Sequence, residues 1–144
     1  MKKQAGFTLI ELVVVMAIIA LLTGLVAFNF QQARQKARDV QRKNDIKNLQ
    51  KSLELYRLDQ NLQRYPASLS SLVSNYMNEL PMDPKYRLNT SSWVDYVYVL
   101  DPSDSLKYRL DACLENAGDF DKLTPTTTCP TGINTGVIYR ATEP

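Results

Sequence analysis

The sequence of 144 residues contains no histidine, and this absence limits the chemistry available to the protein. An imidazole moves the proton in Ser-His-Asp and Cys-His catalytic sites and is a common metal ligand, so those arrangements are excluded. A hydrolase that depends on such a site is therefore not expected. Neither sign of charge predominates, because 17 basic and 15 acidic side chains leave a formal net charge of +2. So small an excess does not by itself favour DNA as a partner.

One segment lacks charge altogether. The 17 residues from Leu12 to Phe28 include only two outside the apolar set. As a helix that rises 1.5 Å per residue, this segment is about 25 Å long, and Phe7 to Ile10 extend it towards the ~30 Å hydrocarbon core of a bilayer. The sequence therefore predicts a single membrane-spanning helix within residues 7–30.

Lys2 and Lys3 precede this segment, and the positive-inside tendency predicts a cytoplasmic N-terminus with the rest of the chain exported. A secretory signal peptide is the alternative, with Leu25-Val26-Ala27 as a cleavage site. The length of the apolar segment and the acid Glu11 at its leading edge favour the membrane span. A carboxylate close to hydrocarbon is costly, so Glu11 requires a partner.

The residues around Glu11 read Gly6-Phe7-Thr8-Leu9-Ile10-Glu11 after a short basic leader, and this motif resembles the processing site of type IV prepilins. The resemblance implies that prepilin peptidase removes residues 1–6 by cutting after Gly6, and that the new N-terminal amine on Phe7 is methylated. It also implies that Glu11 faces the Phe7 ammonium of a neighbouring subunit in a fibre. A cation stabilises a carboxylate in a low-dielectric helix bundle. The alternative is an acid favoured by the helix macrodipole.

Residues 31–58 contain neither proline nor glycine and predict a helical stem that continues the membrane-spanning helix. Its apolar side chains recur at steps of three, four and three, which predicts one face that packs against a head: Ile46, Leu49, Leu53 and Tyr56.

In the head, residues 59–144, we predict a short helix at 67–77 and strands at 93–100, 106–113 and 136–141. In the second strand we expect Leu106, Tyr108, Leu110 and Ala112 to share one side. The predicted fold is α+β and pilin-like, a long N-terminal helix whose second half packs on a small antiparallel sheet.

Two features of the head are candidate sites. Cys113 and Cys129 are an even pair in an exported domain, which favours a disulfide over two free thiols. Between them, Asp119 and Asp121 resemble the acidic loop that binds calcium in the major pseudopilins. A solvated acidic loop is the alternative, because calcium takes six to eight oxygen ligands. No other cofactor is expected.

Charge is divided between the stem and the head. Residues 31–58 carry 8 basic and 3 acidic side chains, whereas residues 59–144 carry 7 basic and 11 acidic ones. DNA capture by the basic stem is one interpretation, but the one we favour is that the stem cations meet acids on adjacent heads within a fibre.

Together with these features, the resemblance implies a structural protein and not an enzyme, namely a subunit of a type IV pilus-like surface fibre that polymerises through its N-terminal helix. An assembly ATPase and an inner-membrane platform are the partners that the resemblance implies, beside the peptidase and other copies of the subunit. A pseudopilin of type II secretion is the alternative within the family, supported by the resemblance of Leu80-Pro81-Met82-Asp83-Pro84 to the major pseudopilin. From another class, the alternative is a membrane-tethered binding module that never polymerises. The expected location is a single-pass membrane protein with an exported head, then a surface fibre or a periplasmic pseudopilus.

Overall fold

The computed structural model describes residues 6–61, 64–88, 90, 93–123, 129 and 136–143, without the side chains of residues 25–29. Contacts divide the chain into two compact units, residues 1–35 and residues 36–144. Helix α1, Leu9–Asp59, contributes to both units. The predicted leader falls largely outside the described residues.

The first unit contains the N-terminal part of α1, whose large apolar side chains are exposed. Between Phe7 and Leu22 their exposed fractions run from 48% at Val15 to 84% at Phe7. Among the helices of the described residues, none combines the length and the apolarity needed to cross a membrane. The membrane span within residues 7–30 therefore stays a prediction.

The second unit contains a three-stranded antiparallel sheet of β1 (Val97–Leu100), β2 (Tyr108–Leu114) and β3 (Val137–Thr142). The strand order is β1-β2-β3, so β2 is central. In the register, Leu110 of β2 lies opposite Tyr98 of β1 and Ala141 of β3. Both strand pairs are antiparallel, so the small antiparallel sheet predicted from the sequence is confirmed.

The second half of α1 packs on the inner face of this sheet. Ile46, Leu49 and Leu53 are fully buried, and they share one core cluster with residues of the sheet that include Leu110 and Ala112. The spacing of these helix residues places them on a single stripe, which is why one helix face is sufficient to cover the sheet. The α+β fold with a helix packed on an antiparallel sheet is confirmed.

The strand boundaries differ from the prediction for local reasons. β1 begins at Val97 and not at Trp93, because the Asp95 carboxylate accepts the amides of Asp83 and Tyr96 and holds residues 93–96 in a loop. Leu106 lies before β2, is 46% exposed, and donates its amide to the Asp104 carboxylate in a turn. The expectation that Leu106 shares the buried side of β2 is therefore wrong.

The prediction of a helix at 67–77 is wrong in its length. Only Leu69–Leu72 form a helix, of the 3-10 type, after Ser68 caps the first turn with its side chain. Val73 then takes an extended conformation and pairs with Met77, which ends the helix. Its anchor is Leu72, which is fully buried in the core.

Candidate functional site

The first candidate site is the N-terminus of α1, where Thr8 and Glu11 bind each other. The Thr8 amide and hydroxyl both donate to Glu11 Oε2, at 3.1 and 3.0 Å, and the Glu11 amide donates to Thr8 Oγ1 at 3.3 Å. This is a capping box, in which a threonine before the helix and a glutamate three residues later satisfy each other's backbone groups. In the single chain, therefore, Glu11 stabilises the start of its own helix.

Gly6 and Phe7 stand immediately before this capping box. Gly6 is exposed, and a Cβ atom placed on it would have no neighbouring atom within 4 Å. Phe7 is 84% exposed. Packing among the described residues thus gives no reason for a glycine at position 6, and both residues beside the predicted cut are accessible to another protein.

The second feature is the apolar surface that begins at Phe7, called here the N-terminal apolar surface. It consists of exposed large side chains, namely Phe7, Leu9, Ile10, Leu12, Val13, Val14, Val15, Met16, Ile18, Ile19, Leu21 and Leu22. Since the set includes five consecutive positions, 12 to 16, it extends around the whole helix and is not a single stripe. A helix that is apolar on all sides is stable when lipid or other helices surround it.

In the second unit, charged side chains join the stem to the head around Arg42, which is fully buried. Its Nε lies 2.6 Å from Asp83 Oδ2, and its Nη1 lies 2.7 Å from Asp39 Oδ1 and 2.9 Å from Glu115 Oε1. A buried guanidinium is tolerated only when its charge and donors are matched in this way. We call the group of Arg38, Asp39, Arg42, Asp83, Lys85 and Glu115 the ionic junction.

Glu115, directly after β2, is bound by three cations of the ionic junction. Arg38 forms a bidentate pair with it at 2.6 and 2.7 Å, and Lys85 Nζ lies 3.3 Å away. Burial opposes the ionisation of Glu115, but the bonds from Arg38 and Arg42 outweigh it and lower the pKa to about 2. The Glu115 carboxylate is therefore charged at neutral pH, and its ion pairs fix the end of β2 to the stem.

The carboxylate of Asp39 completes this attachment through the backbone. It accepts the amide hydrogens of Glu115 and Asn116, both at 2.9 Å. Asp83 likewise accepts the amides of Lys85 and Tyr86 in the loop before β1. The ionic junction therefore orders two loops of the head against one helix.

Cys113 and Cys129 form the predicted disulfide. Both are buried in a small cluster with Trp93 and Ile138. The Arg42 guanidinium carbon lies 4.9 Å and Lys85 Nζ lies 4.1 Å from the centre of the Trp93 ring. These are cation–π contacts, so the disulfide cluster and the ionic junction are packed as neighbours.

Asp119 and Asp121, the candidate calcium ligands, converge on Lys43 of the stem. Lys43 Nζ lies 2.5 Å from Asp119 Oδ1 and 2.7 Å from Asp121 Oδ2. Burial opposes the charged form of Asp119, but the bond from Lys43 outweighs it and lowers the pKa of this carboxyl. Within the part of the chain that the structure describes, no three His, Cys, Asp or Glu side chains are grouped to hold a metal. Calcium binding by Asp119 and Asp121 stays a prediction.

The ion pairs correct one expectation about the stem. Arg38, Arg42 and Lys43 meet acids of the head in their own chain, so the prediction that they meet acids on adjacent heads is wrong for these three. Arg57 pairs with Glu54 on the same helix. Among the described residues, four stem cations have no ion pair: Arg34, Lys36, Lys47 and Lys51.

Sequence reasoning missed the ionic junction, although one signal for it exists. Asp39 and Arg42 precede Ile46 by seven and four residues, so they continue the buried stripe of the stem towards its N-terminus. Charged residues in phase with an apolar stripe indicate buried ion pairs. The partners Asp83 and Glu115 carry no such signal, because only the folded chain brings them to the helix.

Comparison with known proteins gives relatives over most of the chain. The family described as "Prokaryotic N-terminal methylation motif" matches residues 1–27. A type II secretion system core protein G from Aeromonas hydrophila is 34% identical over 100 residues, covering 58% of this chain and 68% of the relative. The protein of the same name from Vibrio cholerae is 32% identical over 112 residues, covering 72% of this chain and 75% of the relative.

A third relative comes from a pilus. The type IV wide pilus major component of Thermus thermophilus is 30% identical over 99 residues, covering 69% of this chain and 74% of the relative. No solved structure matches the chain. The relatives thus include proteins of two assemblies, one named for secretion and one for a pilus.

Proposed function

The chain belongs to the family of type IV pilins and type II secretion pseudopilins, and from this premise we propose that it is the structural subunit of a type IV pilus-like surface fibre. In this proposal, prepilin peptidase cuts after Gly6, and the amine of Phe7 is methylated. The helix then holds the subunit in the inner membrane, with its head exported. An assembly ATPase and a membrane platform transfer it into the fibre. The subunit performs no catalysis.

The observation that carries the proposal is the N-terminal apolar surface. Its twelve named side chains are between about half and more than four-fifths exposed, and they extend around the helix. Water is a poor environment for so much contiguous apolar area. Lipid surrounds the apolar helix before assembly, and neighbouring copies of the same helix surround it afterwards. Because both environments are apolar, moving the helix from lipid into the fibre changes the free energy little.

The capping box supports the proposed pairing of Glu11 with a neighbouring Phe7. Thr8 uses Glu11 Oε2 for both of its bonds, and Glu11 Oε1 has no hydrogen bond within the described range. A carboxylate accepts several hydrogen bonds, so Glu11 can cap its own helix and still receive an ammonium. The pair would fix the axial position of each subunit against the next.

A pseudopilin of type II secretion is the second candidate. It is favoured by the relatives from Aeromonas hydrophila and Vibrio cholerae, whose names place them in that system. In this case the same processing and the same helix packing would build a periplasmic pseudopilus. The two candidates share the subunit mechanism and differ in where the fibre ends.

The test compares wild type with Gly6→Val, Glu11→Ala and Glu11→Gln, expressed in cells that contain the peptidase and the assembly machinery. Gly6→Val is expected to block cutting, because a branched side chain obstructs close approach to the backbone. Both Glu11 variants are expected to be cut normally but to lower the amount of fibre by about tenfold or more, because the buried ammonium loses its partner. Glu11→Gln separates charge from capping, because the amide still accepts the Thr8 bonds.

The readouts are the mass of the mature chain, immunoelectron microscopy of cell-surface fibres and the amount of protein secreted. Normal fibres from Glu11→Gln would refute the charge pair. Uncut Gly6→Val that supports wild-type behaviour would favour the membrane-tethered module. Loss of secretion in a strain that never shows surface fibres would assign the chain to a pseudopilus.

A further inference from the structure

We propose that Lys43 is the resident cation of the acidic loop at residues 119–121, so that the head is stable without a divalent ion at this place. The resemblance to the pseudopilins implies calcium here, whereas the arrangement of side chains points to the ammonium of the stem. This inference concerns the head alone and does not depend on whether the chain forms fibres.

The side chain of Lys43 reaches both acids of the loop. The ammonium of Lys43 lies 2.5 Å from Asp119 Oδ1 and 2.7 Å from Asp121 Oδ2, within hydrogen-bonding distance of both carboxylates. The Asp121 amide also donates to Asp119 Oδ1 at 2.9 Å. One lysine therefore joins both acids of the loop, as a shared metal ion would.

Lys43 is held in this position from more than one side. Its side chain is 18% exposed, and its ammonium lies 5.7 Å from the centre of the Tyr139 ring on β3. Lys43 also follows Arg42, the fully buried centre of the ionic junction, in the same helix. A lysine with these contacts cannot turn away into solvent without losing both ion pairs and the ring contact.

The residues of the acidic loop also do not fit a resident calcium ion. Calcium takes six to eight oxygens at 2.3–2.6 Å. An ion bound to the two inward oxygens of Asp119 and Asp121 would lie next to the Lys43 ammonium, and like charges at such a distance repel strongly. The described residues bring no third acidic side chain to offset this repulsion. Calcium would therefore have to displace the lysine.

The consequence is a loop whose cation is part of the polypeptide. The acidic loop lies within the disulfide-bounded segment, and Lys43 ties it to the stem at a second point besides the ionic junction. This attachment is present as soon as the chain folds and is not lost when calcium is scarce. Phe120, between the two bound acids, is fully exposed, so the attachment acts through the acids and not through apolar packing.

The test measures thermal unfolding of the full chain in detergent, with either millimolar calcium chloride or EDTA. The variants are Lys43→Met, which keeps the aliphatic length, and Lys47→Met as the matched control. Lys47 lies one turn further along α1 and has no ion pair among the described residues. We expect the same midpoint for wild type in calcium and in EDTA. In EDTA we expect Lys43→Met to unfold about 4 °C or more below both wild type and Lys47→Met.

A rise in the wild-type midpoint on addition of calcium would overturn the inference, because the loop would then bind a divalent ion beside an intact lysine. So would equal midpoints for Lys43→Met and Lys47→Met in EDTA, because Lys43 would then contribute nothing to the loop. Recovery of the Lys43→Met midpoint by calcium, with no response from wild type, would be the strongest support. It would show that the lysine and the ion compete for the same two carboxylates.

Discussion

Arg42 shows how a single buried charge organises the head. Its guanidinium is out of contact with water, yet it has carboxylate partners from its own helix, from the loop before β1 and from the end of β2. Burial opposes the charged form of Arg42, but its bonds to Asp83 and Glu115 outweigh it and raise the pKa above the usual value. Loss of one partner would leave a buried charge unmatched, which typically costs about 3–5 kcal/mol. Arg42 therefore determines which loops lie against the stem.

Gly136 gives a prediction at the same scale. A Cβ atom at this position would lie 2.6 Å from Cys113 Sγ and 2.8 Å from Cys129 Sγ, closer than packed atoms approach. We expect Gly136→Ala to lower the free energy of unfolding by about 1–3 kcal/mol, because a disulfide cannot move aside as a flexible side chain does. Gly118→Ala is the control, because its Cβ would meet only Asn116 Oδ1, at 3.4 Å. Chemical denaturation of both variants checks this, and equal effects would contradict it.

The second half of α1 is an element with two different faces. Ile46, Leu49 and Leu53 are fully buried against the sheet, whereas Leu55 and Leu58 are 55% and 68% exposed. The buried stripe stabilises the head of the single subunit. The exposed leucines do not contribute to that core and are available to other molecules. One face of this half of α1 thus stabilises the head, whereas the other leaves large apolar side chains exposed.

This division predicts opposite outcomes for two neighbouring leucines. Leu53→Ala is expected to lower the free energy of unfolding by about 2–5 kcal/mol, because it leaves a cavity in the core. Leu55→Ala is expected to change it by no more than about 0.5 kcal/mol, because the side chain is largely in solvent. Denaturant titration of the full chain in detergent, followed by the fluorescence of Trp93, measures both. Similar losses of stability would mean that α1 packs differently.

At the scale of the whole molecule, the stability of the head depends on pH through Glu115. Its pKa is about 2 in the folded chain against an ordinary value of 4.5. A lowered folded pKa contributes stability that is complete above the unfolded value and is lost as pH falls through the folded value. We therefore expect a loss on the order of 3 kcal/mol as the pH falls from about 4.5 to about 2.

Glu115→Gln checks this dependence, because the amide cannot ionise. Its melting temperature at neutral pH is expected to be lower than that of wild type, and its decrease between about pH 4.5 and pH 2 is expected to be shallower. Asp104→Asn is the control: the pKa of Asp104 is also lowered, by bonds to Leu106 and Lys107, but the group lies in an exposed turn. Parallel curves for wild type and Glu115→Gln would show that Glu115 does not control acid unfolding.

Several features could be predicted because they depend on local spacing. The stripe of Ile46, Leu49 and Leu53 follows from helical periodicity, and the central strand follows from the alternation of Tyr108, Leu110 and Ala112. The limits of the strands could not be predicted in this way. In the loop at 93–96, the Asp95 carboxylate accepts hydrogen bonds from the backbone amides of Tyr96 and of Asp83, which lies 12 residues earlier. A contact between residues so far apart leaves no periodic pattern in the sequence.

The sequence by itself determined the N-terminal motif, the continuous helix, the apolar surface that begins at Phe7 and the pairing of the two cysteines, because each depends on residue type and on neighbours along the chain. Only the tertiary structure decided which charges meet. Arg42 binds Asp83, 41 residues away, and Lys43 binds Asp119, 76 residues away. Coulomb attraction acts between any opposite charges that folding brings together, so the composition predicted an excess of cations in the stem but not the partners they would take. In the folded chain, Arg38, Arg42 and Lys43 pair with acids of their own head, whereas Lys47 and Lys51 are exposed.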